Sequence, residues 1–273
     1  DGRSDWDLEG VAALQLDLES LPWRKLRGVV LAAAAGHRAD RARALLARWD
    51  GRVGPESPEA AIFELFMAEM ARRIAEAKAP RSARWALGAG FGPLTKMSSF
   101  GYRYAGLVVR LVVEQPDGWF EGGWPKEVAD ALGAVTNRLR SEHGDEPGRW
   151  AWGRVRRATL HHPLGERRPL DRVFNLGPWP CGGDPNTVSQ AGSPVIEPVS
   201  SPLAMPTLRM AVEVGDWDNT RFVLAGGQSG NPLSPHYDDL FEVWRRGGGV
   251  PIAWSRESVA AATVATLRLS PPA

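Results

Sequence analysis

Apolar positions in the first half of the chain recur at helical spacing. Ser20 is placed to cap a helix from Pro22 to Ala35, with proline near its start and Gly36 just past its end. Arg38 to Trp49 follows, with Ala42, Leu45, Leu46 and Trp49 on one face, and Asp50-Gly51 breaks it. Ser57-Pro58-Glu59 begins a third helix. Its stripe runs through Ile62, Leu65, Phe66, Glu69, Met70 and Ile74 until Pro80 ends it. Lys126 to Arg140 gives a fourth, faced by Val128, Leu132, Val135 and Leu139. Leu107 to Val113 is apolar and β-branched, and both strand and helix stay open there, because short apolar runs do not discriminate.

After Gly144 the pattern changes to strands and loops, opened by Arg149-Trp150-Ala151-Trp152-Gly153. Leu208, Met210, Val212 and Val214 alternate with Arg209, Ala211 and Glu213, the period of a strand. A turn cluster at Asp216 to Asn219 and a second run, Thr220 to Leu224, predict an antiparallel hairpin. A short helix from His236 to Trp244, a strand from Pro251 to Trp254, a helix capped by Ser255 and a last strand from Thr266 to Ser270 complete the expectation. The fold class is therefore α+β, with a mainly helical region over 1–145 and a β-rich region over 149–273.

Composition narrows the functions available. At 273 residues and 43% hydrophobic, the chain can bury the core of one large or two small domains. Lys+Arg number 33 against Asp+Glu 32, which argues against a nucleic-acid binder. The longest apolar run, Val29 to Ala35, is far too short to span a membrane. Cys181 is the only cysteine, so an intrachain disulfide is excluded and a structural zinc site is disfavoured. The chain begins with Asp1 and has no charged segment followed by an apolar one, so it reads as a processed product or a piece of a longer polypeptide.

Local chemistry is sparse. Ser229 lies in the turn Gly226-Gly227-Gln228-Ser229-Gly230-Asn231, which departs from G-x-S-x-G at Asn231. His236 and Asp239 follow within ten residues, yet triad members normally converge from distant segments, so a structural turn is the better reading. His161 and His162 are adjacent and lack the further ligands a metal needs. Gly182-Gly183-Asp184 lacks the Lys and Ser/Thr of a phosphate loop. The 12 Trp are scattered through both halves and read as packing residues.

The order of segments after residue 149 carries more. Gly182-Gly183-Asp184 to Asn186-Thr187-Val188 is one block, and Gly226-Gly227-Gln228-Ser229-Gly230-Asn231-Pro232 to Ser234-Pro235-His236-Tyr237-Asp238 is the more specific one. Together with Trp152-Gly153, Leu160 to Leu164 and Phe174-Asn175, they resemble the C-terminal part of the β chain of penicillin acylase-type enzymes, which are N-terminal nucleophile hydrolases. The helical half, with Trp49-Asp50-Gly51 and a Phe- and Met-rich helix, is similar to the helical part of the same β chain.

That resemblance implies part of a four-layer αββα sandwich. It implies a precursor that cuts itself into α and β chains, a periplasmic or secreted location, and hydrolysis of acyl-amide bonds such as those of β-lactam side chains, acyl-homoserine lactones or lipopeptides. In such enzymes the N-terminal serine of the β chain attacks the amide and its α-amino group, with a pKa of about 7.7–8.0, serves as base. The nucleophile, oxyanion asparagine, neighbouring arginine and calcium ligands all lie upstream of the matched region. No catalytic, cofactor or metal residue is therefore assigned here, since residue 1 is Asp1 and Ser4 is not terminal. Gly183, Asp184, Gly226, Gly227, Ser229, Gly230, His236 and Asp238 are expected to form structural loops, with Tyr237 and Trp244 packing beneath. The expected partners are the upstream β segment, the α chain and a small acyl amide, with no nucleic acid and no membrane span. A piece of such a sandwich should leave apolar residues unpartnered, with Leu208, Met210, Phe222 and Leu224 the candidates. The alternative is a stand-alone binding module derived from an acylase segment, and the coding sequence immediately upstream of Asp1 discriminates between the two.

Overall fold

A computed structural model describes residues 2, 4–33, 39–91 and 97–271. The expected helix end at Ala35-Gly36 and the expected start at Arg38 lie outside the described residues. The chain forms two compact units, Asp17–Met205 and Asp1–Leu16 with Pro206–Ala273. The first helix, α1 (Leu8–Leu14), is capped by the Asp7 carboxylate and belongs to the latter.

The unit Asp17–Met205 is built on helices α2 (Leu21–Ala33), α3 (Asp40–Arg48), α4 (Pro58–Lys78), α5 (Ala83–Ala86), α6 (Ala105–Glu114) and α7 (Gly123–His143). Their starts follow side-chain chemistry. The Ser20 hydroxyl accepts from Trp23 N at 3.3 Å, and the Ser57 hydroxyl accepts from Ala60 N at 3.0 Å with Pro58 just inside the helix. The ambiguous run Leu107 to Val113 lies inside α6, because Ala105, Val108, Leu111 and Val112 recur at helical spacing and are the residues it buries.

Helix α4 is the centre of this unit. Its stretch Ala60–Ala68 is buried on every side, and the helix packs on α3, α5, α6 and α7. A helical stretch that is apolar on almost every face must be enclosed to be stable in water. At its start, Phe63 meets Trp23 and Trp49, with ring centroids 5.3 Å and 5.5 Å away. Gly51 is required beside them: its φ is +83°, and a Cβ would stand 2.9 Å from the Trp23 ring. At the other end, Glu69 and Arg73 continue into an ion pair with Glu127 of α7.

Past His143 the same unit turns irregular. Helix α8 (Trp152–Val155) packs on α4, and β1 (Arg157–Leu160) pairs antiparallel with β2 (Leu176–Pro180) around the short α9 (Asp171–Phe174). The change near residue 145 is thus a change of secondary structure, while residues 147–205 share one compact unit with the helices.

The second unit carries a three-stranded antiparallel sheet in the order β3 (Leu208–Ala211), β4 (Arg221–Leu224), β5 (Val250–Pro251). The hairpin forms as the alternation predicts, pairing Leu208 with Leu224 and Ala211 with Arg221, but Val212 to Val214 lie outside it. Helix α10 covers only Phe241–Arg245, because Ser234 to Asp238 are spent on two turns closed by Tyr237 N to Ser234 O and Phe241 N to Asp238 O. Ser255 caps α11 (Arg256–Ala262), its hydroxyl accepting from Ser258 N. The expected last strand, Thr266 to Ser270, does not form. Leu267 and Leu269 are exposed, and alternation alone does not hold a strand that has no neighbour to pair with. From residue 149 onward the strands are short and most of the backbone is turn or loop.

Truncating the aromatic centre tests this core. Phe63→Ala should lower unfolding stability by about 3–5 kcal/mol, since a fully buried ring leaves a cavity that packed helices cannot close. A loss below about 1 kcal/mol in denaturant unfolding would contradict the assignment of Phe63 to the core.

Candidate functional site

The densest polar arrangement surrounds Arg156, which is 1% exposed and follows α8. Its Nη1 donates to Ala191 O at 2.5 Å, and its Nη2 donates to Gly183 O at 2.9 Å and to Gly182 O at 3.2 Å. Its guanidinium lies 4.5 Å from the centre of the Trp152 ring, and Trp152 Nε1 donates to the same Gly183 O at 3.1 Å. One buried cation thus gathers three carbonyls of a segment that has neither helix nor strand. Nε of Arg156 is buried without a hydrogen-bond partner.

The segment closes on itself around Asp184. One carboxylate oxygen accepts from Asn186 N and Thr187 N, both at 2.6 Å, and Asp184 N donates to Thr187 Oγ1 at 3.0 Å. Asp184 O accepts from Ala191 N, which completes the loop. Gly183 has φ +78°, and a Cβ on it would run into Ser189 O. The sequence Gly182-Gly183-Asp184-Pro185-Asn186-Thr187 is therefore an aspartate-centred turn held from below by Arg156.

Glu64 of α4 lies in the same interior. Burial pushes its carboxyl well above the usual carboxylate range, and the neighbouring Asp184 adds to this, while Arg156 partly opposes it. Tyr104 is raised for the same reasons, burial first and then the two carboxyl groups. Burial lowers Arg156, opposed by the charges around it, and raises the Cys181 thiol, which Arg156 counteracts. Glu64, Arg156 and Asp184 are buried, while Tyr104 and Cys181 are partly exposed. Among the described residues, no group of three or more His, Cys, Asp or Glu side chains could hold a metal ion. At the Glu64–Asp184 pair, Arg156 already supplies the positive charge.

The second block lies in the other unit. Ser229 N donates to His236 O at 3.0 Å, and Leu240 N donates to Gly226 O at 2.9 Å, so the loop folds back on itself. Gly227 is pressed against this crossing, where a Cβ would strike the His236 carbonyl. Gly230 meets no such obstacle. The Ser229 hydroxyl accepts from Asn231 N at 3.1 Å, and the His236 ring pairs through Nδ1 with Asp239 at 2.8 Å. Ser229 and His236 meet through backbone only, so no nucleophile–base contact forms between them. The acid beside His236 is Asp239, while Asp238 is exposed and lends its carbonyl to Phe241 N. Trp244 is buried and donates from Nε1 to Pro206 O at 3.0 Å, and Tyr237 is half-buried. His162 caps a turn, its Nδ1 accepting from Leu164 N, and stacks on Phe174.

Sequence reasoning singled out Asp184 but missed Arg156 and Glu64. A charged residue inside the apolar run Ala60 to Met67 was the available signal for Glu64. Arg156 gave none, since it sits among Arg154, Arg157 and other basic residues that are ordinarily solvated.

The chain's fold is similar to that of a thermostable penicillin G acylase from Alcaligenes faecalis, with a TM-score of 0.56 at 18% identity, covering 99% of this chain and 51% of that one. The family described as Penicillin amidase matches residues 1–261, and the chain belongs to that family. Among curated relatives it is 30% identical over 237 residues to the penicillin acylase 2 proenzyme of Pseudomonas sp. (strain SE83), covering 85% of this chain and 29% of that protein. It is 29% identical over 275 residues to the acyl-homoserine lactone acylase QuiP of Pseudomonas putida, covering 90% of this chain and 32% of the relative. The chain thus spans under a third of the length of these relatives.

Glu64 has a pH signature. Its folded form keeps the proton to higher pH than the unfolded chain does. The stability this contributes is complete below the ordinary glutamate pKa of about 4.3 and is lost as pH rises through the raised value. Glu64→Gln keeps the shape without the ionisation. Thermal melts of both forms from about pH 5 to about pH 9 should diverge, the variant gaining on the parent as pH rises. Parallel curves would contradict a raised Glu64.

Proposed function

We propose that this chain is the C-terminal, noncatalytic portion of a penicillin acylase-type amidohydrolase. The observation that carries the reading is the family match over residues 1–261 in a chain whose two motif loops are both engaged in backbone architecture. The reaction of the complete assembly is hydrolysis of a C–N bond in a non-peptide acyl amide. Penicillin and acyl-homoserine lactone are the compounds in the names of its relatives, and acyl amides of these kinds are the proposed substrates. The nucleophile, its α-amino base and the oxyanion donors come from polypeptide outside this span, and so do the calcium ligands. The partners are the upstream β segment and the α chain of one self-cleaving precursor, placed in the periplasm or secreted. Among the described residues, no helix is long and apolar enough to cross a membrane.

In this assembly Gly183, Asp184, Gly226, Gly227, Ser229, Gly230, His236 and Asp238 serve as scaffold. Gly183 and Gly227 admit backbone where a side chain would collide, and Asp184 closes its own turn.

The test is activity of the chain alone. Offered a chromogenic phenylacetyl-anilide and a long-chain acyl amide, it should hydrolyse neither above the buffer rate. Turnover by the chain alone that disappears in Ser229→Ala would contradict the reading and move the nucleophile into the second loop.

A further inference from the structure

Helices α2 and α6 leave an open groove of about 550 Å3 between them, lined by Leu21, Pro22 and Lys25 of α2 and by Gly106, Val109 and Val113 of α6. Small-molecule sites have about this size, roughly 300–1,000 Å3. The α6 lining runs from Ala105 to Glu114, so the groove follows the helix for about 13 Å. Its apolar lining stands partly in water, with Leu21 54% and Val113 47% exposed. Gly106 keeps the groove open. It lies in the first turn of α6, and a Cβ on it would meet no atom within 4 Å. Neither packing nor a left-handed backbone calls for glycine at this position.

The charges here differ from those in the cavities beside α4 and α7. In the cavity lined by Arg72 and Arg138, Arg72 is paired with Glu69 and Glu76, and Arg138 with Glu142. In the one lined by Arg73 and Lys126, Arg73 is paired with Glu127 and Lys126 with Asp130. Lys25 and Arg110 are exposed, and among the described residues neither makes an ion pair or a side-chain hydrogen bond. Asn186 also reaches the groove, its backbone N–H spent on Asp184 and its side-chain amide without a partner among the described residues. The acid in the lining, Glu114, stands one turn beyond Arg110 on α6 and is not paired with it. Two unanswered cations against one carboxylate leave the groove one charge positive.

We infer that this groove binds an amphipathic monoanion, an unbranched aliphatic carboxylate whose tail takes the apolar floor and whose headgroup is met by Lys25 and Arg110. An elongated apolar groove suits an unbranched tail, which would remove from water the surface that the groove leaves wet. A carboxylate answers cations that have no acid of their own, and its single charge matches the net charge of the lining, as the near-double charge of a phosphate would not. The assignment is independent of the acylase reading, since it concerns binding and places no reaction in the groove.

The test is isothermal titration of the 273-residue chain with decanoate below its micelle concentration. Decanoate should bind with a stoichiometry of one, and decanol and decyltrimethylammonium at least about fivefold more weakly. Lys25→Gln/Arg110→Gln should weaken decanoate about tenfold, and Glu114→Gln, which removes a repelling charge, should tighten it. Gly106→Leu should abolish binding with Tm unchanged or raised, because the added side chain enters open space and leucine is the better helix former. Affinity retained by Gly106→Leu, or a fall in its Tm, overturns the site. Equal affinity for the three decyl compounds overturns the anion, and no binding of decanoate at millimolar concentration overturns the proposal outright. Flotation with phosphatidylglycerol vesicles that depends on Lys25 and Arg110, without binding of decanoate, assigns the groove to a membrane surface and overturns the proposal as well.

Discussion

A guanidinium cannot be taken out of water unless nearly all of its donors are met and its charge is answered. Arg156 meets that constraint with three carbonyls, one indole face and the carboxyl groups of Glu64 and Asp184 nearby. Those partners come from α4, α8 and the segment 182–191, which share no ladder of backbone hydrogen bonds. Arg156 holds the 182–191 loop against the helices together with Trp152 Nε1 on Gly183 O and two backbone bonds, Gly183 N to Val53 O and Ser189 N to Asp17 O. Glu64 lies on α4 where the run is otherwise apolar, and burial beside Asp184 raises its carboxyl well above the usual range while Arg156 partly opposes this.

The second unit obeys a different constraint. Its sheet is too small to enclose a core between two layers, and its edges are closed by Gln15 and Pro251. Trp244, donating to Pro206 and lying under Arg209, anchors the buried face. The glycine block at 226–230 folds back onto His236 and Leu240 beside the same sheet. The two loop motifs therefore do related work in separate units: each lets backbone approach backbone where a Cβ would collide at Gly183 or Gly227.

How much of this was legible follows from the range of each interaction. Helix starts at Ser20 and Ser57, the stripe of α4 and the 208–224 hairpin are set by neighbours a few residues apart, and the sequence shows them directly. Leu107 to Val113 stayed ambiguous because its burial is decided by the helices around it. Thr266 to Ser270 has the alternation of a strand but lacks a pairing edge, a fact no local pattern encodes. Asp184 was visible as part of a block, whereas Arg156 and Glu64 were not, because their partners lie 26 to 35 residues away in one case and on another element in the other. His236 and Asp239 stood together in the sequence, and their ring–carboxylate contact forms, but Ser229 does not join them through its side chain.

The central claim is that the 182–191 segment is structural, fixed to the helical core as firmly as α4 although it has no regular secondary structure. Native-state hydrogen exchange measures this residue by residue. The amides of Asn186 and Thr187, bonded to Asp184, and of Ala191 should exchange only with global unfolding, at the same free energy as the central amides of α4. Exchange of those three amides at the rate of the exposed turn around Leu233, while α4 stays protected, would contradict the account.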